Sequence, residues 1–451
     1  MRRRCQLRRK LKMEDLPRKL KLAADVLYAE KAGKHLFLQP NIPDWLVVNQ
    51  NGAILLSRCE GQSSPAEMTE PSSGSGMPLP GALELFSEAF SRGILVDPDS
   101  APGRGSKTAT PVEPRLERPV LGSVHLKLTN QCNLRCSYCY AQSGKPSGVL
   151  EFEDLESVAK GVSSISRSVE YVLSGGEPLL NPDALRFAEM VKASGNTVHI
   201  LTNGTLIDAK NAERISKVAD LVKISLDGSR EEVHSLTRGN GNFERAVRAI
   251  DLLVELGSNV VVAMTVTRGN RNNIPEMVSR FGSRLTFQPL FKAGRGQDKE
   301  DLSLTGIEYY QALASVAGVA PMGMIGKTLE SIRGRGARRC ALAERGISIS
   351  EAGDVYPCQL LHAAEFKAGN IRELSLAEIY YESPIFKRLR SVSVDTLSKC
   401  SICQIRYICA GACRARDFYE VGSIEDVGEF CEYEREAFIN GIFDSVELQS
   451  I

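Results

Sequence analysis

The strongest constraint on the fold of this chain is an alternation of hydrophobic periods between Ser123 and Leu290. Six apolar, strand-like runs recur there: Val124–Thr129, Tyr171–Leu173, Val198–Leu201, Leu221–Leu226, Val260–Val266 and Leu285–Leu290. Amphipathic windows fill the gaps, as in Phe243–Leu256, where Ala246, Val247, Ile250, Leu253 and Val254 share one side. Six β/α units in series require parallel strands with right-handed crossovers, so the expected class is α/β, a partial (β/α)6 TIM-type barrel. In such barrels the chemistry sits on the loops at the carboxyl ends of the strands.

The rest of the 451 residues divides around that core. Ser63–Pro80 is rich in Ser, Pro and Gly, and Asp97–Pro119 holds five prolines; both compositions read as loop or linker. Before and between them, His35–Gln39 and Trp45–Asn49 read as strands. Asn51-Gly52 reads as a turn, Ala53–Cys59 as helical, and Gly81–Arg92 as a helix carrying Leu83, Phe86 and Phe90 and ending at Gly93. The expected units are a winged-helix-like module over 15–96, a linker over 97–119 and the barrel over 120–300. A helical connection over 301–335 and a cysteine-rich domain over 336–451 complete the chain.

Lys plus Arg (56) and Asp plus Glu (55) nearly cancel, so no overall field favours nucleic acid or an anionic membrane. No apolar run approaches the roughly 20 residues of a membrane helix. The opening Met1-Arg-Arg-Arg-Cys5 is basic without an apolar signal region and reads as a solvated terminus. These features point to a cytoplasmic protein whose clustered cysteines bind metal rather than form disulfides.

Three of the twelve cysteines follow the first barrel strand as Cys132-x3-Cys136-x2-Cys139. Three thiolates on one loop can take three corners of an iron–sulfur cubane and leave one iron open. Zinc is the weaker reading, because no histidine or fourth cysteine lies close in sequence to close a tetrahedron. The next strand ends deliver Ser174-Gly175-Gly176-Glu177-Pro178, Thr202-Asn203-Gly204 and Ser225-Leu226-Asp227-Gly228. This set, in this order, resembles the radical S-adenosylmethionine (SAM) superfamily. The resemblance implies that Cys132, Cys136 and Cys139 hold the catalytic cluster. It also implies that Gly175, Gly176 and Glu177 meet the SAM methionine group, that Asn203 lies at the cofactor, that Ser225 is near the ribose and Arg238 near the carboxylate, and that Tyr138 approaches the adenine.

A second cysteine region reads Cys340-x12-Gly353-x4-Cys358, then Cys400-x2-Cys403-x5-Cys409-x3-Cys413-x17-Cys431, with Val355-Tyr356-Pro357-Cys358 and Gly369-Asn370-Ile371 inside it. It resembles the SPASM domain of radical SAM enzymes acting on peptides and proteins. That implies two auxiliary clusters, one on Cys400, Cys403, Cys409 and Cys431, the other on Cys340, Cys358 and Cys413. No cysteine stands in Arg333–Arg339 to complete the latter. Three iron–sulfur clusters of [4Fe-4S] type and SAM are thus the expected cofactors, with a flavodoxin or ferredoxin-type electron donor. Cys5, Cys59 and the five histidines fit no metal spacing.

Residues 34–96 resemble the peptide-chaperone fold of the pyrroloquinoline quinone pathway, a RiPP recognition element. The resemblance rests on His35-Leu-Phe-Leu38, Trp45-Leu-Val-Val48, Glu60-Gly61 and Ser91-Arg-Gly93-Ile-Leu95. Such domains add a leader peptide as a strand. The expected activity is therefore hydrogen abstraction from a ribosomally made precursor peptide, giving a thioether or other crosslink. The rivals are a sulfatase-type maturase, which would carry an aspartate where Gln359 stands, a radical SAM enzyme on a tetrapyrrole, and a zinc-binding scaffold.

Overall fold

The computed structural model describes residues 16–69, 78–100, 118–144, 148–314 and 336–446, together with 316, 329 and 332–334. Cys5 and most of the proline-rich stretch lie outside them.

In the N-terminal module, β1 (Lys21–Leu22) pairs with β5 (Leu95–Val96), and β2 (Leu27–Lys31), β3 (Lys34–Gln39) and β4 (Asp44–Val48) form an antiparallel sheet. Helices Gln50–Ser57 and Leu79–Ser91 follow. Three sequence readings need correction. Asn51-Gly52 is not a turn but the first turn of a helix: the Asn49 side chain accepts from Gly52 N, an N-cap, and a Cβ at Gly52 would stand 2.9 Å from Val48 Cβ. The buried face of the second helix is Ala82, Leu85, Phe86 and Ala89, rather than the Leu83, Phe86 and Phe90 stripe. Strand β2 was not anticipated; the apolar run Val26–Ala29 is short, and only the alternate residues Leu27 and Ala29 turn inward while Tyr28 and Glu30 are exposed.

Strands β3 and β4 are apolar on both faces, and each face has its own partner. Phe37, Leu46 and Val48 pack with Leu55, Leu56 and Phe86 inside the module. Leu36, Leu38, Trp45 and Val47 point the other way, onto Ile405, Ile408, Ile442 and Phe443 near the far end of the chain. Lys34 Nζ donates to the carbonyls of Phe443 (3.0 Å) and Val446 (2.7 Å), at the C-terminal end of helix Phe430–Asp444, where a cation is favoured.

The barrel supplies six parallel strands: β6 (Ser123–Lys127), β7 (Glu170–Ser174), β8 (Thr197–Thr202), β9 (Leu221–Ser225), β10 (Val260–Val266) and β11 (Leu285–Pro289). Val124 and Leu126, Val222 and Ile224, and Val262 and Met264 turn outward into the helices. The alternate residues His125, Lys127, Lys223, Ser225, Ala263 and Thr265 turn inward and line cavities. The sheet does not stop at β6. Strand β12 (Gly346–Ile349) pairs parallel to it, in register Ile347↔Val124 and Ile349↔Leu126, and β13 (Asp354–Tyr356) and β14 (Gly369–Asn370) continue antiparallel. The nine-stranded order is β11-β10-β9-β8-β7-β6-β12-β13-β14. The cysteine-rich region is thus built onto the barrel sheet, which local periodicity could not announce.

Among the described residues no helix is long and apolar enough to cross a membrane. Trp45 is only 2 % exposed in the contact between the module and the C-terminal region. Trp45→Ala is expected to cost about 3–5 kcal/mol there. Hydrogen exchange should then rise at Ile405–Cys409 and around Ile442, with barrel strands β8 and β9 unchanged.

Candidate active site

The eleven described cysteines are all unbridged. They fall into three neighbourhoods. Cys132 lies within electrostatic reach of Cys136 and Cys139; Cys358 of Cys340 and Cys413; Cys400 of Cys403 and Cys431, with Cys409 facing Cys400 and Cys431. Cys59 stands apart, a buried thiol pushed up to about 12, next to Met68.

The first neighbourhood sits on the loop after β6, and that loop is docked on the other strand ends by backbone. Gly176 N donates to Thr129 O (2.7 Å) and Glu177 N to Gln131 O (2.8 Å). A Cβ at Gly176 would lie 2.0 Å from Gln131 O, and Gly175, at φ +139, would put one 2.5 Å from Thr129 O. The glycines therefore make room first for the cysteine loop, although both also line the cavity. Glu177 departs further from expectation: it is absent from the cavity wall and 0 % exposed. Its carboxylate accepts from Thr202 Oγ1 (2.7 Å), Asn203 N (2.8 Å) and Leu179 N (3.3 Å). It acts as a latch between the ends of β7 and β8.

Asp227 is the hub that sequence reasoning missed. Fully buried, its Oδ2 accepts from Tyr138 OH (2.5 Å), Thr237 Oγ1 (2.7 Å) and Arg238 Nε (2.8 Å), and its Oδ1 from Thr265 N (3.1 Å). Arg238 also reaches Tyr138 OH (2.6 Å) and Cys136 Sγ (3.8 Å). Tyr138 and Arg238 line the cavity, but their polar ends are committed to this network; Ser225 lines the wall from the end of β9. Asn203 lines it too, and its Nδ2 lies 2.9 Å from Asn133 Oδ1 and 4.0 Å from Cys132 Sγ. A second overlooked clamp is Arg295, which donates to Cys136 O (2.9 Å) and Ser143 O (2.6 Å). The Gly-Arg-Gly run after the last strand was its available signal.

These elements enclose a cavity of about 450 Å³. Its walls include all three loop cysteines and, from the C-terminal region, Gln359, Leu360, Cys413 and Arg416. Arg416 is held by two parallel bonds to Glu434 (2.7 and 2.9 Å).

The cysteine environments fit a thiolate-held iron cluster. Backbone N–H groups aim at the sulfurs: Leu134 at Cys132 (3.4 Å), Leu360 at Cys358 (3.5 Å), Gly411 at Cys409, Arg416 at Cys413 and Leu342 at Cys340. Burial, with help from the neighbouring cysteines, pushes the thiols up, Cys132 and Cys413 to about 11 and Cys358 to about 12. A cationic iron centre offsets that penalty, since metal coordination removes the thiol proton. Among the described residues no group of three or more His, Cys, Asp or Glu side chains is placed to hold a single metal ion.

Comparison with known proteins agrees with this geometry. Residues 126–280 match the radical SAM superfamily model, and 340–404 match the SPASM iron–sulfur cluster-binding domain. Mycofactocin maturase MftC of Mycobacterium tuberculosis is 30 % identical over 315 residues, 65 % of this chain and 78 % of that protein. The chain belongs to the radical SAM superfamily. It is an enzyme of that superfamily with a SPASM domain, for which SAM and iron–sulfur clusters are the cofactors. An AdoMet-dependent heme synthase of Methanosarcina barkeri is 29 % identical over 342 residues, 68 % of this chain and 95 % of that protein. The crystal structure of Streptococcus suis SuiB bound to precursor peptide SuiA shares the fold, with a TM-score of 0.55 at 15 % identity, over 90 % of this chain and 98 % of that one.

Two outcomes follow. Gly176→Ala drives a methyl into the Gln131 carbonyl; iron held by the Cys132 loop and SAM cleavage should be lost together, with the C-terminal iron retained, as read by iron analysis and 5′-deoxyadenosine assay. Burial raises Glu177 from the ordinary 4.5 to about 7, against the pull of its Asn203, Thr202 and Leu179 donors. A folded value above the unfolded one means stability that is full below about 4.5 and lost as pH rises to about 7. Glu177→Gln should flatten that fall in denaturant titrations across the window.

Proposed function

We propose that this radical SAM enzyme matures a ribosomally made precursor peptide, forming a thioether or other crosslink. The observation that carries the reading is the docked N-terminal module. Its sheet packs through Leu36, Leu38, Trp45 and Val47 onto the segment bearing Cys403 and Cys409. The two outer strands of that sheet differ. Strand β4 is buried throughout, and Trp45 O accepts from Arg333 (2.7 Å) and Pro43 O from Gly334 N (3.0 Å). Strand β2 runs along the exposed side, with Tyr28 50 % exposed. A leader peptide added to β2 as a further strand gains main-chain hydrogen bonds beside the cysteine-rich domain.

In this reading Cys132, Cys136 and Cys139 hold the catalytic cluster, and SAM occupies the cavity floor near Asn203, Ser225, Tyr138 and Arg238. Cys400, Cys403, Cys409 and Cys431 hold one auxiliary cluster, and Cys340, Cys358 and Cys413 the other. Together the cofactors supply a carbon-centred radical and take up an electron. The protein positions and shields. Asp227 and Arg238 fix Tyr138 and set a positive charge beside Cys136, Arg295 clamps the loop backbone, and Leu360 and Cys413 roof the cavity opposite. A small flavodoxin or ferredoxin-type protein delivers the reducing electron.

Likeness to a heme synthase keeps a tetrapyrrole as the second reading. The test incubates reconstituted enzyme with SAM, reductant and either the precursor peptide encoded beside its gene or an iron coproporphyrin. A loss of two hydrogens per modification on the peptide, dependent on its leader and abolished by Cys413→Ala, is the expected result. Conversion of the porphyrin with an untouched peptide would overturn the proposal.

A further inference from the structure

A second cavity, of about 460 Å³, opens beside the first and shares Tyr140, Ala141, Ser174, Gly175, Gln359 and Leu360 with it. It is bounded by the inward face of β6 and the β12–β13 hairpin, so barrel and SPASM domain build it jointly. Of the residues that the resemblance assigns to the cofactor, Gly175 alone also lines it.

Its floor is a buried relay. Ser348 Oγ, on β12, lies 2.9 Å from His362 Nε2 and 3.5 Å from His125 Nδ1. His125 is 6 % exposed, and its Nε2 has no hydrogen-bond partner. Burial holds both imidazoles neutral, His125 down to about 4 with help from Lys223, and His362 to about 3 with help from His125. One hydroxyl proton serves two rings. If Ser348 donates to His362, His125 Nδ1–H donates to Ser348 and its Nε2 presents a lone pair; with the opposite tautomers Nε2 presents N–H. The orphaned nitrogen can thus meet an acceptor or a donor.

The charged groups on the walls are already matched. Lys127 Nζ is ion-paired with Glu351 Oε2 at 3.1 Å, although that oxygen makes no hydrogen bond, and Asp354 is paired with Lys367 (2.7 Å) and Asn370 (2.7 Å). A carboxylate or ammonium entering here would be desolvated without a free counter-charge, whereas an uncharged polar group pays far less and satisfies Nε2. Tyr140 and Tyr419 add flat apolar walls, and Tyr356 stacks on His362 at 4.3 Å, fixing its ring.

We propose that this cavity is a substrate subsite that takes an uncharged hydrogen-bonding side chain, a carboxamide or hydroxyl, next to the residue that reacts. The subsite rests on the peptide reading above for the nature of the chain that carries that group.

The test measures binding to the reconstituted, SAM-loaded enzyme by ligand-observed NMR. The probes are the capped tripeptides acetyl-Gly-Asn-Gly-amide, its Asp and Leu counterparts, and propionamide. The Asn tripeptide should bind about fivefold tighter than either counterpart, the effect of one well-made buried hydrogen bond. Ser348→Ala and His362→Phe, which keeps the ring stacked on Tyr356, should each erase the difference while SAM affinity is retained. Equal binding of the Asn and Asp peptides, a preference that survives both variants, or no binding of any probe would overturn the subsite. Propionamide binding that depends on Ser348 and His362, without binding of any tripeptide, would uphold the subsite and reject the peptide reading.

Discussion

The site depends on the seating of one loop. Residues 130–144 carry three thiols on a segment with no regular structure, and such a segment keeps a fixed shape only if its backbone polar groups are satisfied. Here they are met by the backbone N–H groups of Gly176 and Glu177 after β7 and by the Arg295 guanidinium, while Asn203 Nδ2 holds the Asn133 side chain. Beneath lies Asp227, whose two oxygens tie β9, β10, helix Glu231–Arg238 and the loop together. A buried carboxylate with four donors, one of them a guanidinium, is over-determined, and its removal would leave Arg238 buried without its counter-charge. The positions of the Cys132, Cys136 and Cys139 sulfurs are therefore properties of four strand ends rather than of the loop sequence.

The same economy joins the two cysteine regions. Because β12 extends the barrel sheet beside β6, the hairpin that follows brings Cys358, Gln359 and Leu360 to the open side of the barrel. The helix beginning at Arg414 adds Arg416, held against Glu434. A sheet pairing fixes position to within a fraction of a residue spacing, since a one-residue slip would turn Ile347 and Ile349 out of the core. Cys413 thus shares a wall with Cys132 and Cys139 although some 270 residues separate them.

The N-terminal module is held by the same rule applied to a smaller sheet. With both faces of β3 and β4 apolar, it cannot be stable as a freely tethered unit without exposing Leu36, Leu38, Trp45 and Val47. Its docking covers the segment around Cys403 and Cys409 and caps the last helix through Lys34. Removing the module would uncover part of the cysteine-rich domain as well, so the two are structurally one piece.

The six barrel strands were legible in the sequence, because apolar runs with period two and helices with period 3.6 are local signals. The grouping of Cys132, Cys136 and Cys139 was legible from their spacing on one loop, whereas the grouping of the seven later cysteines rested on resemblance to the SPASM domain. At β2 the apolar run Val26–Ala29 is too short to separate a strand from a loop, and Asn51-Gly52 carried turn chemistry that the Asn49 cap and the fit against Val48 overrode. The roles of Glu177 and Asp227 were beyond sequence for a different reason. A carboxylate at a strand end reads the same whether it faces a cavity or a neighbouring turn, and only the packing of adjacent strands decides which donors reach it. Sequence determined the barrel and its complement of thiols. Tertiary structure decided which strand ends meet, that the C-terminal hairpin closes the barrel's open side, and that His125, Ser348 and His362 share one buried relay, since sheet pairing between distant segments leaves no local signature.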